Sequence, residues 1–292
     1  MPELPDIDAY ADAITRVAAT RRLIRLRIGH PFLLRSVDPK PQDFEMALLQ
    51  GVRTLGKRVV LAFEGERFAV IHLMVAGRLQ WRDPDRSGKA PNQLAEFEFE
   101  SGRLILTEAG TKRRASLHLV SGETNLRIHD PGGADPLGCG VEAFGEALRQ
   151  ESRTLKRVLT DPQTLSGIGN AYSDEILHRA RLSPLQLSTN LTDEAILRLH
   201  MAMRDVLAEW RKRLISESKN GFPERVTAFR PEFAVHGKFG APCPDCGAPV
   251  QRIVYAENEC NYCARCQTGG KLLADRALSR LLKARWPKTL DG

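Results

Sequence analysis

The spacing of apolar positions changes character along this chain, and each change marks an element boundary. Ile7, Tyr10, Ala11, Ile14, Val17 and Ala18 recur at helical spacing, so residues 1–20 predict a helix. Pro2 and Pro5 are expected in its first turn, where a missing N–H costs nothing. Glu3 and Asp6 suit the positive end of the helix dipole. From about 21 to 125 the apolar runs become short and turn-bounded. Segments 23–28, 58–63, 68–74, 78–81, 94–100, 103–107 and 116–120 read as strands, with Glu64-Gly65 and Ser101-Gly102 as hairpin turns. Such a series predicts a sandwich or barrel. The period then returns to helical over 155–159, 171–180 and 192–215, where Thr192 and Glu194 mark a helix start. The polar stretch 216–224 reads as a mobile loop, 231–270 as a small Cys-rich module, and 271–290 as a last short helix.

Composition narrows the class. The chain has 292 residues, 42% hydrophobic and 27% charged, which fits a globular protein of about two domains. No stretch reaches the roughly 18 apolar residues of a membrane span. The opening MPELPDIDAY has neither a basic n-region nor an apolar h-region, so no export signal is expected. Forty-three Lys and Arg against 36 Asp and Glu leave a net charge of +7, which suits a polyanionic partner.

The cysteines point to a metal. Five of the six lie in the last 50 residues, and Cys243-Pro-Asp-Cys246 and Cys263-Ala-Arg-Cys266 are separated by 16 residues. That is the spacing of a four-Cys zinc ribbon, and the spacer is long enough for a hairpin. Cys260-Asn-Tyr-Cys263 is also a CxxC, but it would leave Cys266 unused, so the outer pair is preferred. Four thiolates leave no position for water, so one structural Zn²⁺ is expected. Cys139 reads as a small buried hydrophobe.

Several motifs in order carry a family resemblance: MPELPD at the start, Gly56-Lys57, HLMVAGRL (72–79), LSGIGNAYSDEILHRARLSP (165–184), VHGKFGAPC (235–243) and the Cys-rich end. The chain resembles the bacterial formamidopyrimidine-DNA glycosylase / endonuclease VIII family. The resemblance implies an α+β fold: an N-terminal helix and β-sandwich (1–130), a helix–two-turn–helix domain (131–230) and a four-Cys zinc-finger hairpin (231–270); a basic extension (271–292) follows. It also implies catalysis by Pro2, whose secondary amine becomes a nucleophile once Met1 is removed. An α-amino group titrates near 7.7–8.0, so roughly a tenth is neutral at pH 7. Attack on the sugar C1′ displaces the base and gives an iminium, an electron sink that permits β-elimination. Glu3 would act as general acid and Lys57 would assist at sugar and phosphate.

The same resemblance implies DNA contacts at His72, Met74, Val75, Arg113, Lys156, Asn170 and the Asn258 position. Ser166-Gly167-Ile168-Gly169-Asn170 precedes a helix, and its glycines would let backbone N–H groups approach a phosphate. Arg113 in the basic loop 110–114 would insert opposite an extruded nucleotide. Four positions depart from the family pattern. Val75 stands where a wedge methionine is common, with Met74 one step earlier. Ala115 replaces a phenylalanine, Asn258 an arginine tied to δ-elimination, and Asn92 a histidine. Residues 268–292 hold six Lys or Arg against two Asp, beyond the usual end.

The expectation is a bifunctional glycosylase and abasic-site lyase of base-excision repair. Its substrate would be damaged double-stranded DNA, with oxidised purines first and oxidised pyrimidines second. It would work as a monomer, without membrane or small-molecule cofactor, in the cytoplasm on the nucleoid. The alternatives are a lyase acting mainly on existing abasic sites, a non-catalytic damaged-DNA binder, and a generic zinc-ribbon adaptor, which leaves the N-terminus unexplained.

Overall fold

The computed structural model describes residues 1–85, 88–223, 226–255, 258–274, 280–282 and 288–290, with the side chains of Tyr255 and Asn258 also outside the description. The chain divides into two compact units, residues 1–131 with 210–227, and residues 132–209 with 228–292.

The first unit is a helix on a β-sandwich. Helix α1 (Leu4–Ala18) begins after Glu3, which holds the extended N-cap position. Pro2 therefore precedes the cap instead of lying in the first turn, while Pro5 does lie there. The predicted apolar stripe is the buried one: Ile7, Tyr10, Ile14 and Ala18 join the core. Burial of each large side chain is worth about 1.5–3 kcal/mol, enough to hold a helix with little propensity of its own.

Eight strands form two antiparallel sheets. They are β1 (Leu23–Ile28), β2 (Leu49–Leu55), β3 (Arg58–Phe63), β4 (Arg67–His72), β5 (Gly77–Arg82), β6 (Gln93–Phe99), β7 (Gly102–Glu108) and β8 (Ser116–Ser121). One sheet runs β1-β6-β7-β5, the other β2-β3-β4-β8, and their inner faces share the core with α1. Sequence patterning missed β2. Its apolar residues Leu49, Val52 and Leu55 recur every third position, and a register shift between Leu49 and Gly51 breaks the alternation.

The turns differ from expectation in detail. Phe63 pairs with Arg67, so Glu64-Gly65-Glu66 is a three-residue loop. Phe99 pairs with Gly102, so Glu100-Ser101 makes the other turn. Gly102 is needed in the strand itself, because a Cβ there would come within 2.6 Å of the Trp81 ring.

Residues 216–221 are anchored. Ser216 and Glu217 end a helix, and Arg16 donates to the carbonyls of Ser218, Lys219 and Gly221. Phe222 packs on Tyr10 with ring centroids 5.8 Å apart. The expected mobile loop is corrected this far, because one arginine fork satisfies three carbonyls.

The second unit is helical with a C-terminal hairpin. Its helices are α3 (Val141–Arg149), α4 (Leu155–Thr160), α5 (Asn170–Ala180) and α6 (Asp193–Glu217) as far as Glu209, the rest of α6 belonging to the first unit, as does α2 (Glu123–Arg127). Thr192 caps α6 through the Ala195 N–H. Strands β9 (Val250–Tyr255) and β10 (Asn258–Cys263) form the hairpin, and α7 (Ala264–Thr268) follows. Cys139 is half-buried, not enclosed as expected. Half of the expected helix over 271–290 falls on residues outside the description, 275–279 and 283–287; of the rest, 280–282 are helical but 271–274 are not, and Lys271 pairs with Thr289 instead. No helix among the described residues is long and apolar enough to cross a membrane.

Candidate functional site

In the first unit the N-terminus, Glu3 and Lys57 share one electrostatic neighbourhood. Pro2 and Glu3 are buried. The Asp6 carboxylate accepts the Glu3 N–H at 2.9 Å, which fixes the chain entering α1. Lys57 occupies a two-residue hairpin turn between β2 and β3, where Gly56 takes φ +58 in the left-handed region. Burial pulls the Lys57 amine below its usual value, and the Glu3 carboxylate opposes that pull. Burial likewise lowers the Met1 amine, with Glu3 and Asp6 opposing and Arg78 and Lys57 assisting. An amine placed here is thus biased toward its neutral, nucleophilic form.

Arg78 was missed from sequence. It lies on β5 beside the motif used for the wedge positions, and it donates to the carbonyls of Val75 (3.0 Å) and Gly77 (2.7 Å). It thereby braces a tight turn, residues 73–77, closed by the Gly77 N–H on the Leu73 carbonyl. Only glycine fits at 77, since a Cβ would sit 2.3 Å from the Leu73 oxygen. Met74 takes φ +53, and Val75 at the tip is 60% exposed.

His72 ends β4 opposite Arg58 and Ser116. Burial, reinforced by Arg58, Lys57 and His118, pushes its imidazole down to about 4. At neutral pH it offers hydrogen bonds and no charge. The loop bearing Arg113 is exposed, and its base is held by buried Glu108, whose carboxylate accepts the N–H groups of Arg114 (2.9 Å) and Ala115 (3.0 Å). Ala115 is buried, so the position where the resemblance puts an aromatic ring lies in the core.

In the second unit the two predicted phosphate ligands have inward partners. Lys156 on α4 donates to the Asn170 carbonyl (2.6 Å), Ser173 Oγ (2.8 Å) and Asp174 Oδ1 (2.6 Å). An ammonium has three donors, and all three are engaged. The Asn170 side-chain amide donates to the Glu259 carbonyl on β10 at 2.8 Å, leaving its second N–H for another acceptor. Asp174 is fully buried, and its other oxygen accepts from His236 Nδ1 (2.7 Å) and the Asn261 N–H (3.1 Å). This hub was also missed, because a single Asp inside a helix carries no pattern. Asn258 opens β10 opposite Tyr255.

The four predicted cysteines converge. Cys243, Cys246, Cys263 and Cys266 place their sulfurs within 4.8 Å of one another. Cys243 and Cys266 are 3.9 Å apart, Cys246 and Cys263 3.4 Å. Tetrahedral metal–sulfur bonds of about 2.3 Å require sulfur separations of about 3.8 Å, so this set can hold a metal ion. Cys260 packs with Ile253, Tyr262 and Ala264 instead, and burial beside Asp174 pushes its thiol well up.

Family models match the chain from its start to residue 215. The formamidopyrimidine-DNA glycosylase N-terminal domain matches residues 1–131, and the H2TH domain of the same glycosylase matches 133–215. The formamidopyrimidine-DNA glycosylase of Thermus thermophilus is 32% identical over 293 residues, covering 92% of this chain and 100% of its own length. This chain belongs to the formamidopyrimidine-DNA glycosylase family. As such it is a DNA glycosylase of base-excision repair.

Other relatives fit the same frame. An uncharacterized formamidopyrimidine-DNA glycosylase-like protein of Mycobacterium tuberculosis is 40% identical over 151 residues, 52% of this chain and 94% of its own length. The fold is shared with the Lactococcus lactis formamidopyrimidine-DNA glycosylase, crystallised non-covalently bound to DNA containing an abasic site. That structure has a TM-score of 0.79 at 22% identity, over 91% of this chain and 99% of that one.

Proposed function

We infer that this glycosylase excises oxidised bases, purines such as formamidopyrimidine or 8-oxoguanine first, from damaged double-stranded DNA and then cuts the strand as an abasic-site lyase. The observation that carries this reading is the burial of the N-terminal amine beside Glu3, Asp6, Lys57 and Arg78. With Met1 attached, the Pro2 nitrogen is an amide. Removal of Met1 frees a secondary amine in a neighbourhood that favours its neutral form. Pro2 nitrogen bonds to C1′ as the bond from C1′ to the base breaks, and the departing base takes a proton. Glu3 protonates the ring oxygen as the sugar opens to an iminium. Loss of a C2′ proton then feeds the iminium as the bond from C3′ to its phosphate oxygen breaks. The iminium is itself the electron sink, so no organic cofactor is required.

Lys57, near Glu3, assists at the sugar and its phosphate. His72, Met74, Val75 and Arg113 supply contacts from the first unit, and Asn170 and the Asn258 position from the second. Lys156 acts through Asn170 and Asp174, because its donors are already engaged. The four cysteines fit one structural Zn²⁺, which when bound supplies folding energy to the hairpin module, roughly 10–16 kcal/mol in small fingers. The protein works as a monomer on the nucleoid.

A second reading has an observation in its favour. Val75 at the exposed turn tip and a buried Ala115 give a weak wedge. An enzyme with a weak wedge would act mainly on abasic sites that already exist, where no base need be extruded. Borohydride trapping on abasic and on lesion-bearing duplexes separates the readings. The main reading expects covalent adducts with both. An adduct with abasic DNA alone selects the second, and no adduct from Met1-processed protein removes both.

A further inference from the structure

His178 is the one histidine at the cysteine cluster, and nothing in the proposed chemistry uses it. It lies in the last turn of α5, 4% exposed, with Nε2 3.3 Å from Cys243 Sγ. Its ring also lies within 4.8 Å of Asp245 and Cys266, and Asp245 Oδ2 is 3.9 Å from Nε2, beyond hydrogen-bond distance. A metal-bound thiolate and an ionised carboxylate only accept hydrogen bonds, so Nε2 must carry a hydrogen in these surroundings. Cys243 is buried, and its sulfur needs a donor from the protein. Cys263, the other deeply buried ligand, obtains one from the Cys266 N–H at 3.5 Å.

We infer that His178 is a positioning residue for the four-cysteine metal centre: its Nε2–H hydrogen-bonds to the Cys243 thiolate without itself binding the metal. Such a bond spreads thiolate charge and fixes the ligand's orientation, and loss of an outer partner of this kind typically costs 10–100-fold in metal affinity. A second tie runs beside it. Gln267 in α7 donates to the Leu182 carbonyl at 2.9 Å and accepts the Cys263 N–H at 2.8 Å. The two ties fasten the metal knuckles to the C-terminal end of α5 and the turn after it. At its other end the same helix carries Asn170, which holds the hairpin through Glu259. Metal retention and the seating of the hairpin on α5 therefore depend on each other.

The inference rests on the zinc reading, and the experiment keeps the two apart. Metal analysis of the purified full-length protein comes first. One equivalent of zinc is expected, and a metal-free protein in which all six cysteines titrate after unfolding overturns the zinc reading and this inference with it. On the ¹¹³Cd-substituted protein, ¹H–¹⁵N correlation of the histidine rings is expected to show the His178 Nε2–H proton coupled to cadmium through the sulfur. Metal bound without that coupling overturns this inference alone, as does direct nitrogen–cadmium coupling, which would make His178 a ligand. The variants add a kinetic test that geometry alone would not satisfy. His178→Phe is expected to release zinc to a chromogenic chelator about 10-fold faster than the parent. His178→Gln, which keeps a donor near the Nε2 position, is expected to restore most of the difference. Equal release rates for the parent and His178→Phe would overturn the hydrogen bond.

Discussion

Lys57 in the first unit and Lys156 in the second are both withdrawn from water, yet they are held in opposite ways. Lys57 projects from a two-residue turn. Burial opposes its charge, and Glu3 returns part of what burial removes. Lys156 faces a fully buried carboxylate and spends all three donors on fixed acceptors. A buried pair stripped of one partner leaves an uncompensated charge, which makes such a network rigid. The first arrangement leaves an amine able to exchange protons and meet a substrate. The second fixes the geometry around the start of α5. Charged residues of one kind thus carry the proposed chemistry in one unit and architecture in the other.

The largest test of this contrast is at the chemistry itself. Glu3→Gln is expected to slow single-turnover base excision by about 10²–10⁴-fold, the usual worth of a positioned general acid. Excision at the parental rate would remove Glu3 from that role. Stability should show the reverse pattern. Asp174→Ala leaves Lys156 and His236 without their shared acceptor and is expected to cost about 3–5 kcal/mol in denaturant unfolding. Lys57→Met removes a charge that burial disfavours and should not lower the unfolding midpoint. If the two variants melt alike, the contrast fails.

Acid titration sharpens it further. The His72 imidazole falls from 6.5 to about 4 on folding. Between those values the unfolded chain binds the extra proton, so stability contributed by this group is present above pH 6.5 and lost as pH falls toward 4. The loss is at most about 3 kcal/mol. His72→Gln should flatten the stability profile in that window, and an unchanged slope would show that His72 is not the group responsible. The smallest effect is expected at Arg113, exposed on its loop. Arg113→Ala should reduce the salt dependence of DNA binding by about one unit of slope. It should shift stability by no more than about 0.5 kcal/mol.

Sequence patterning reached α1, seven of the sandwich strands and the metal cluster because each repeats a signal. A helical stripe, alternating strands and paired CxxC motifs all recur at intervals that physics dictates. It missed β2, where three-residue spacing imitates a helix turn, and it left 216–221 as loop because Arg16, some 200 residues away, supplies the anchoring hydrogen bonds. The catalytic candidates Pro2, Glu3 and Lys57 were legible through family motifs, and their shared electrostatic neighbourhood is a product of the fold.

What the chain alone determined is therefore its list of parts: elements with a period, four thiols at ligand spacing, and a proline free to become an amine once Met1 is removed. Only the tertiary structure decided what faces what. It turned Lys156 and Asn170 inward, drew Ala115 into the core, set His178 against Cys243, and lowered His72 until it is neutral. Those outcomes depend on desolvation and on partners distant in sequence, and neither leaves a mark in local spacing.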